Sequence, residues 1–266
     1  MSTMIVSIVT NIISDLILWL FLGITLAILL SRRRRRLQGF FGTLKEKSLI
    51  VYLGSFSIDS GAIIDRYGNT NKSPQTAIST RDFYVVPILS SLFESTVFDF
   101  IAELLSSLVG VFLLIKQPNI TFLPSPQKEE DLEHTNTIAI GGPRFNLATE
   151  YYLKTGKPYF EFERKSNTWI AKIGRGSRSG ETVLPPQGND IGLIQKVYDT
   201  EHQSTVFIAA GIGINGTRTA VDYLVKNWEE LRRIYTDNEF GIALTCPHQS
   251  IDPDGYKKST VLLRLP

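Results

Sequence analysis

Over the nineteen residues from Ile12 to Leu30 the chain has Ser14 and Asp15 as its only strongly polar interruptions, and Arg32-Arg33-Arg34-Arg35-Arg36 follows almost directly. No other feature constrains the fold as much. About 20 apolar residues at ~1.5 Å each match the hydrocarbon core of a bilayer, so the pattern predicts a transmembrane helix over residues 12–30 if Asp15 lies near one interface. Arginines flanking one end of a span stay on the cytoplasmic side. The expectation is therefore a single-pass membrane protein with its N-terminus outside and its C-terminal part cytoplasmic, with membrane lipid as a partner of the arginine run. A cleaved secretory signal would carry its positive charge before the apolar stretch rather than after it.

This organises the chain as an anchor and basic stop over residues 1–36, then an α/β domain over residues 37–266, with a proline-rich and charged linker at 124–136 dividing it into two halves. Hydrophobic residues make up 43% and charged residues 20%, a composition that folds. The net charge of +2 depends on Arg32 to Arg36; without the anchor region the remainder is slightly acidic. A duplex-binding surface calls for a basic excess, so nucleic acid is not expected as a partner. The single cysteine, Cys246, excludes an internal disulfide.

Beyond the arginines, strands and helices alternate. Leu49 to Leu53, Asn119 to Leu123, Thr137 to Ile140, Thr205 to Ala210, Phe240 to Leu244 and Thr260 to Leu265 read as strands. Tyr159 to Phe162 and Trp169 to Ile173 alternate with period 2, as a hairpin does. Helical spacing marks Ile88 to Phe112, Arg144 to Leu153 and Ala220 to Ile234, while the glycine-rich and proline-rich segment from Gly174 to Asp190 reads as a loop. The apolar end of the first of these helices is too short for a second span. Strand, glycine turn, helix, strand predicts an α/β fold, Rossmann-like, with a mostly parallel sheet, flanking helices and the one N-terminal transmembrane helix.

Two glycine turns carry the candidate chemistry. Gly211-Ile212-Gly213-Ile214-Asn215-Gly216-Thr217-Arg218 has the spacing G-x-G-x-x-G between a strand and a helix. Such a turn brings backbone N–H groups at a helix start toward a phosphate, and Arg218 adds a charged donor. No acidic residue ends the next strand to hold a ribose hydroxyl, so no nicotinamide or flavin cofactor is assigned. Gly141-Gly142-Pro143-Arg144-Phe145-Asn146 follows another buried strand and offers Arg144 and Asn146 beside two flexible glycines. If the two strands are parallel, both turns lie at the edge where open α/β sheets bind ligands. The competing reading makes both turns simple strand-to-helix connections with no ligand.

Catalytic residues are not identified. Glu150 and Asp222 are candidate acids for cleavage of a nucleotide or its N-glycosidic bond, and Cys246-Pro247-His248 places a thiol near an imidazole. His134, His202 and His248 form no His-x-x-x-His or His-x-His pair, so no metal site is expected from spacing.

Val51-Tyr52-Leu53-Gly54-Ser55-Phe56 and Gly216-Thr217 resemble the opening strand and the Gly-Thr turn of nucleoside deoxyribosyltransferases and related Rossmann-like nucleotide sensors. The resemblance implies a nucleotide-like ligand. It does not imply transferase activity, because Arg218-Thr219-Ala220-Val221-Asp222 lacks the glutamate that family carries after its Gly-Thr turn. The expected function is binding of a nucleotide-like or phosphorylated ligand as membrane-tethered sensor or effector. The alternatives are a nucleotide or N-glycosidic-bond hydrolase or transferase, and a protein-interaction module without ligand.

Overall fold

The computed structural model describes residues 2–43, 48–58, 75–78, 84–93, 119–165, 168–248, 252 and 254–266. The chain divides into two units, one of Met1–Gln38 with Phe93–Gln117 and one of Gly39–Leu92 with Pro118–Pro266. The stretch from Gly61 to Pro74 and the helical pattern beyond Phe93 lie outside the described residues.

Helix α1 covers Ser2–Phe40, so the arginine run continues the same helix rather than ending it. Among the described residues no helix is long and apolar enough to cross a membrane, which overturns the expected transmembrane span, its single-pass topology and the localisation built on them. Asp15 and Arg32 give the physical reason. The uncharged stretch between them is ~24 Å long at ~1.5 Å per residue, short of the ~30 Å hydrocarbon core. Leu18, Trp19 and Phe21 are exposed on this helix.

The second unit is built on a seven-stranded sheet. Its strands are β1 (Leu49–Leu53), β4 (Ile120–Pro124), β5 (Asn136–Ile140), β9 (Asn189–Asp199), β10 (Ser204–Ile212), β11 (Phe240–Pro247) and β12 (Thr260–Leu265). Their order is β12-β11-β9-β10-β5-β1-β4. The strands β4, β1, β5 and β10 run parallel, so the three apolar runs at 49–53, 137–140 and 205–210 are parallel neighbours in one sheet as their composition predicts. Their unbroken apolar character follows from burial on both faces. The other half departs from the expected mostly parallel sheet, since β9 pairs antiparallel with both β10 and β11, and β12 pairs antiparallel with β11. The four-residue connection between β9 and β10 is far too short for a parallel crossover.

A short β2 (Ser55–Ile58) pairs with β3 (Gln75–Ile78), and β6 (Phe160–Lys165), β7 (Thr168–Ile173) and β8 (Thr182–Val183) make a three-stranded sheet. The β6 and β7 hairpin matches the period-2 reading, whereas β8 and the start of β9 fall inside the segment read as loop. Gln195 joins this small sheet to β9. Its Oε1 accepts from Phe160 N–H at 2.9 Å and its Nε2 donates to Phe160 C=O at 3.0 Å, reproducing with one buried side chain the pair of bonds a neighbouring strand makes.

Of the helices, α2 (Val85–Phe93) precedes β4, α3 (Leu147–Thr155) follows β5, and α4 (Ile214–Tyr235) follows β10. Ala148 and Tyr152 of α3 pack with Ile50, Ala139, Val206 and Ile208 on one face of the sheet. The intervening Phe207 points to the opposite face, where Phe40, Phe41, Phe240, Tyr235 and Trp228 gather around it or one another with ring centroids 4.4–6.3 Å apart. Phe40 and Phe41 are thus core residues, and Lys196 lies over the Phe40 ring at 5.6 Å. Its burial pushes the Lys196 ammonium below the usual lysine range, with Asp237 and Glu239 opposing.

Candidate ligand site at the carboxyl edge of the parallel strands

Because β5 and β10 are parallel neighbours, the turns that follow them lie side by side. Gly141 N–H donates to Ala209 C=O at 3.0 Å, and a Cβ placed on Gly142 would meet only the Gly211 carbonyl oxygen, at 3.8 Å. Gly141 itself has φ +100°, which favours glycine. The turn is firmly held. Thr149 Oγ1 donates to Gly141 C=O, Ser55 N–H donates to Phe145 C=O, and Ser125 Oγ accepts from Leu147 N–H. The carboxyl ends of β1, β4 and β5 meet here.

Asn146 is consumed by this framework. It is fully buried as N-cap of α3, its Oδ1 accepting from Thr149 N–H at 3.3 Å while Nδ2 donates to Tyr52 C=O and Ile140 C=O at 2.9 and 2.8 Å. It has no donor left for a ligand. Arg144 is different: it is exposed, with its guanidinium 5.0 Å from the Phe145 ring centroid.

The second turn is closed by the protein's own chemistry. A Cβ at Gly211 would overlap the Thr217 nitrogen and the Gly216 carbonyl carbon, and one at Gly216 would overlap the Ile191 carbonyl group. Those glycines let the start of α4 lie directly on β9 and β10. Gly192 serves the same contact from β9, since its Cβ would meet Gly216 O at 2.6 Å. Gly213, at φ +86° and ψ 167°, occupies a backbone region that side chains strain, and a Cβ there would overlap the Asp190 carboxyl group.

Asp190 sits where the sequence places an anionic ligand. Its carboxylate accepts from the backbone N–H groups of Asn215 and Gly216 at the start of α4, so the positive end of the helix faces a side chain of this chain. Burial raises its carboxyl above the usual range, opposed by His248, whose Nε2 is 3.7 Å from Oδ1, and by those two backbone bonds. Asn215 is buried and donates through Nδ2 to Pro247 C=O and Asp252 C=O, both at 2.9 Å, so it ties α4 to the segment after β11. Thr217 is also buried, while Thr219 Oγ1 donates to Tyr256 C=O. Arg218 lies with its guanidinium 4.8 Å from the Tyr84 centroid and 5.8 Å from that of Tyr256, its Nε buried without a hydrogen-bond partner among the described residues.

Of the ten residues singled out by the two motifs, Gly141, Gly142 and Arg144 border one turn and Gly211, Gly213 and Arg218 the adjoining one. Asn146, Asn215, Gly216 and Thr217 are framework. Neither expected acid is at this edge chemically: Glu150 pairs with Lys154 at 2.6 Å on the surface of α3, and Asp222 pairs with Lys226 at 2.8 Å on α4. Cys246 is buried and its thiol is pushed up to about 11 by desolvation, which leaves it a poor nucleophile. Asp190, Tyr84 and Tyr256 were invisible as site residues; an aspartate one residue before Ile191 carries no local motif. Comparison with protein-family models, curated proteins and solved structures finds no match for this chain.

Proposed function

We propose that the unit holding the seven-stranded sheet binds a small nucleotide-like or phosphorylated ligand where β1, β5 and β10 end, and acts through that ligand as a sensor or effector. The supporting observation is the abutment of two glycine turns, where a Cβ on Gly142 would meet only the Gly211 carbonyl oxygen, in ordinary contact at 3.8 Å. Arg144 and Arg218 supply the cationic donors, and Tyr84, which is exposed, supplies an aromatic face on which a base can stack. Asp190 holds the first N–H groups of α4, so recognition of a phosphate falls to the arginines and the Gly142 turn rather than to the helix end. Native mass spectrometry of the full chain followed by calorimetric titration with a panel of nucleotides tests the proposal. A bound nucleotide that Arg144→Ala weakens by ~1–3 kcal/mol supports it. Failure of every nucleotide in the panel to bind removes it.

One observation favours a second reading, hydrolysis of a nucleotide or of its N-glycosidic bond. Asp190 is a buried carboxyl with a raised pKa facing Gly213, close to the His248 imidazole. Such a group suits proton donation to a leaving group. Product analysis by liquid chromatography after incubation with the same panel separates the readings. Turnover abolished by Asp190→Asn with binding retained selects the hydrolase, and intact ligand recovered from the wild type selects the sensor.

A further inference from the structure

At the opposite edge of the sheet the fold assembles three potential metal ligands that are distant in sequence. Asp199 is the last residue of β9, His202 lies in the tight turn to β10, and His134 lies just before β5. The parallel pairing of β10 with β5, which sets Val206 opposite Thr137, brings the entry of β5 against that turn. His202 Nδ1 is 2.9 Å from Asp199 Oδ2, and the imidazoles of His134 and His202 stack with centroids 3.7 Å apart and planes 7° from parallel. One ligand atom from each of the three residues lies within 4.8 Å of the other two.

We propose that His134, Asp199 and His202 form a binding site for a divalent transition ion of the zinc class, bound by His202 Nδ1, Asp199 Oδ2 and a ring nitrogen of His134, with water completing the shell. Metal bonds of ~2.0–2.1 Å to nitrogen and oxygen set neighbouring ligand atoms ~2.9–3.4 Å apart, so the 2.9 Å pair between His202 and Asp199 already has the span of two ligands, the ion replacing the proton they share. His134 is exposed and closes the remaining gap by rotating its side chain. The Asp199 carboxylate is oriented in turn, its Oδ1 accepting from the N–H groups of Glu201 and His202 at 3.1 and 3.2 Å. Two further carboxylates, Glu201 and Glu129, join Asp199 in placing negative charge around the neighbouring Tyr151. Imidazole with one carboxylate suits zinc, cobalt or nickel better than magnesium or calcium. The ion would pin the β9 and β10 turn to the entry of β5.

The test uses the full chain, freed of metal with a chelator and titrated with Zn²⁺ against a chromophoric competitor, with Co²⁺ absorption as a second readout. The expected result is one Zn²⁺ per chain at this site, with affinity reduced at least tenfold in His134→Ala and His202→Ala, and a rise in melting temperature on adding Zn²⁺ to the wild type only. His134→Ala changes an exposed side chain, so its metal-free melting curve should match that of the wild type. Absence of Zn²⁺ binding by the wild type overturns the proposal. So does unchanged affinity in the His134→Ala/His202→Ala double variant, which would place the ion elsewhere.

Discussion

Replacing Gly216 with alanine should damage this fold far more than the same change at Gly142, although both are glycines of strand-to-helix turns. A Cβ at Gly216 would overlap the Ile191 carbonyl group of β9 and approach the Gly211 Cα to 3.3 Å. Both obstacles are backbone of buried strands, so relief requires α4 to lift from the sheet, loosening Ala220, Val221 and Leu224 beneath it, all fully buried. Overpacking of this kind costs ~1–3 kcal/mol, and the rigidity of both partners puts Gly216→Ala at or above ~3 kcal/mol, with helix propensity offsetting at most ~1 kcal/mol. Gly142→Ala introduces only an ordinary contact at 3.8 Å and should stay within ~0.5 kcal/mol. At ~2–4 °C per kcal/mol for a chain of this size, thermal unfolding followed by circular dichroism should show a fall of ~4–12 °C for Gly216→Ala and under ~2 °C for Gly142→Ala. Equal melting temperatures for the two variants would refute the division into a structural and an open turn.

Gln195→Leu leaves the N–H and C=O of Phe160 unpaired in the interior and should cost ~2–4 kcal/mol, read from urea unfolding; a loss under ~1 kcal/mol would mean the small sheet is held by its apolar contacts alone. Asp190 has a raised carboxyl pKa, so its contribution to stability is full below about pH 3.9 and is lost as pH rises through the folded value. Asp190→Asn keeps an acceptor for Asn215 and Gly216 but removes this titration, so its stability relative to the wild type should rise from pH 4 to pH 7; a difference independent of pH would contradict the assignment. Cys246, buried with its thiol near 11, should resist a disulfide reagent at pH 8 in the folded chain and react only on unfolding.

What the sequence revealed and what it hid have physical causes. The strands β1, β5 and β10 announce themselves because both faces are covered and the runs 49–53, 137–140 and 205–210 are apolar almost throughout. The equally central β9 does not: Gly192, Gln195 and Lys196 interrupt its run, although all are buried, because Gly192 admits α4, Gln195 bonds to Phe160 and Lys196 lies over Phe40. With β9 went the antiparallel half of the sheet and Asp190 at its start. The apolar run beside Arg32 to Arg36 looks like a span by composition, yet its length between charges falls short. At the ligand edge, the adjacency of the two glycine turns followed from strand order, but Asn146 and Asn215 face inward because buried carbonyls at the ends of β1, β5 and β11 need donors. Histidine spacing fails for the same reason in reverse: His134 and His202 meet only through the pairing of β5 with β10.

Calorimetric titration of Gly142→Val tests the central claim most directly, because a branched side chain there would extend from the Cβ position that touches the Gly211 carbonyl oxygen, at the meeting of the two turns, while the contacts that Gly211 and Gly216 make with α4 and β9 stay intact. The account predicts that a nucleotide bound by the wild type loses at least tenfold in affinity for Gly142→Val, with a melting temperature close to that of the wild type. Undiminished binding by a stably folded Gly142→Val chain would contradict it and remove the ligand from this edge.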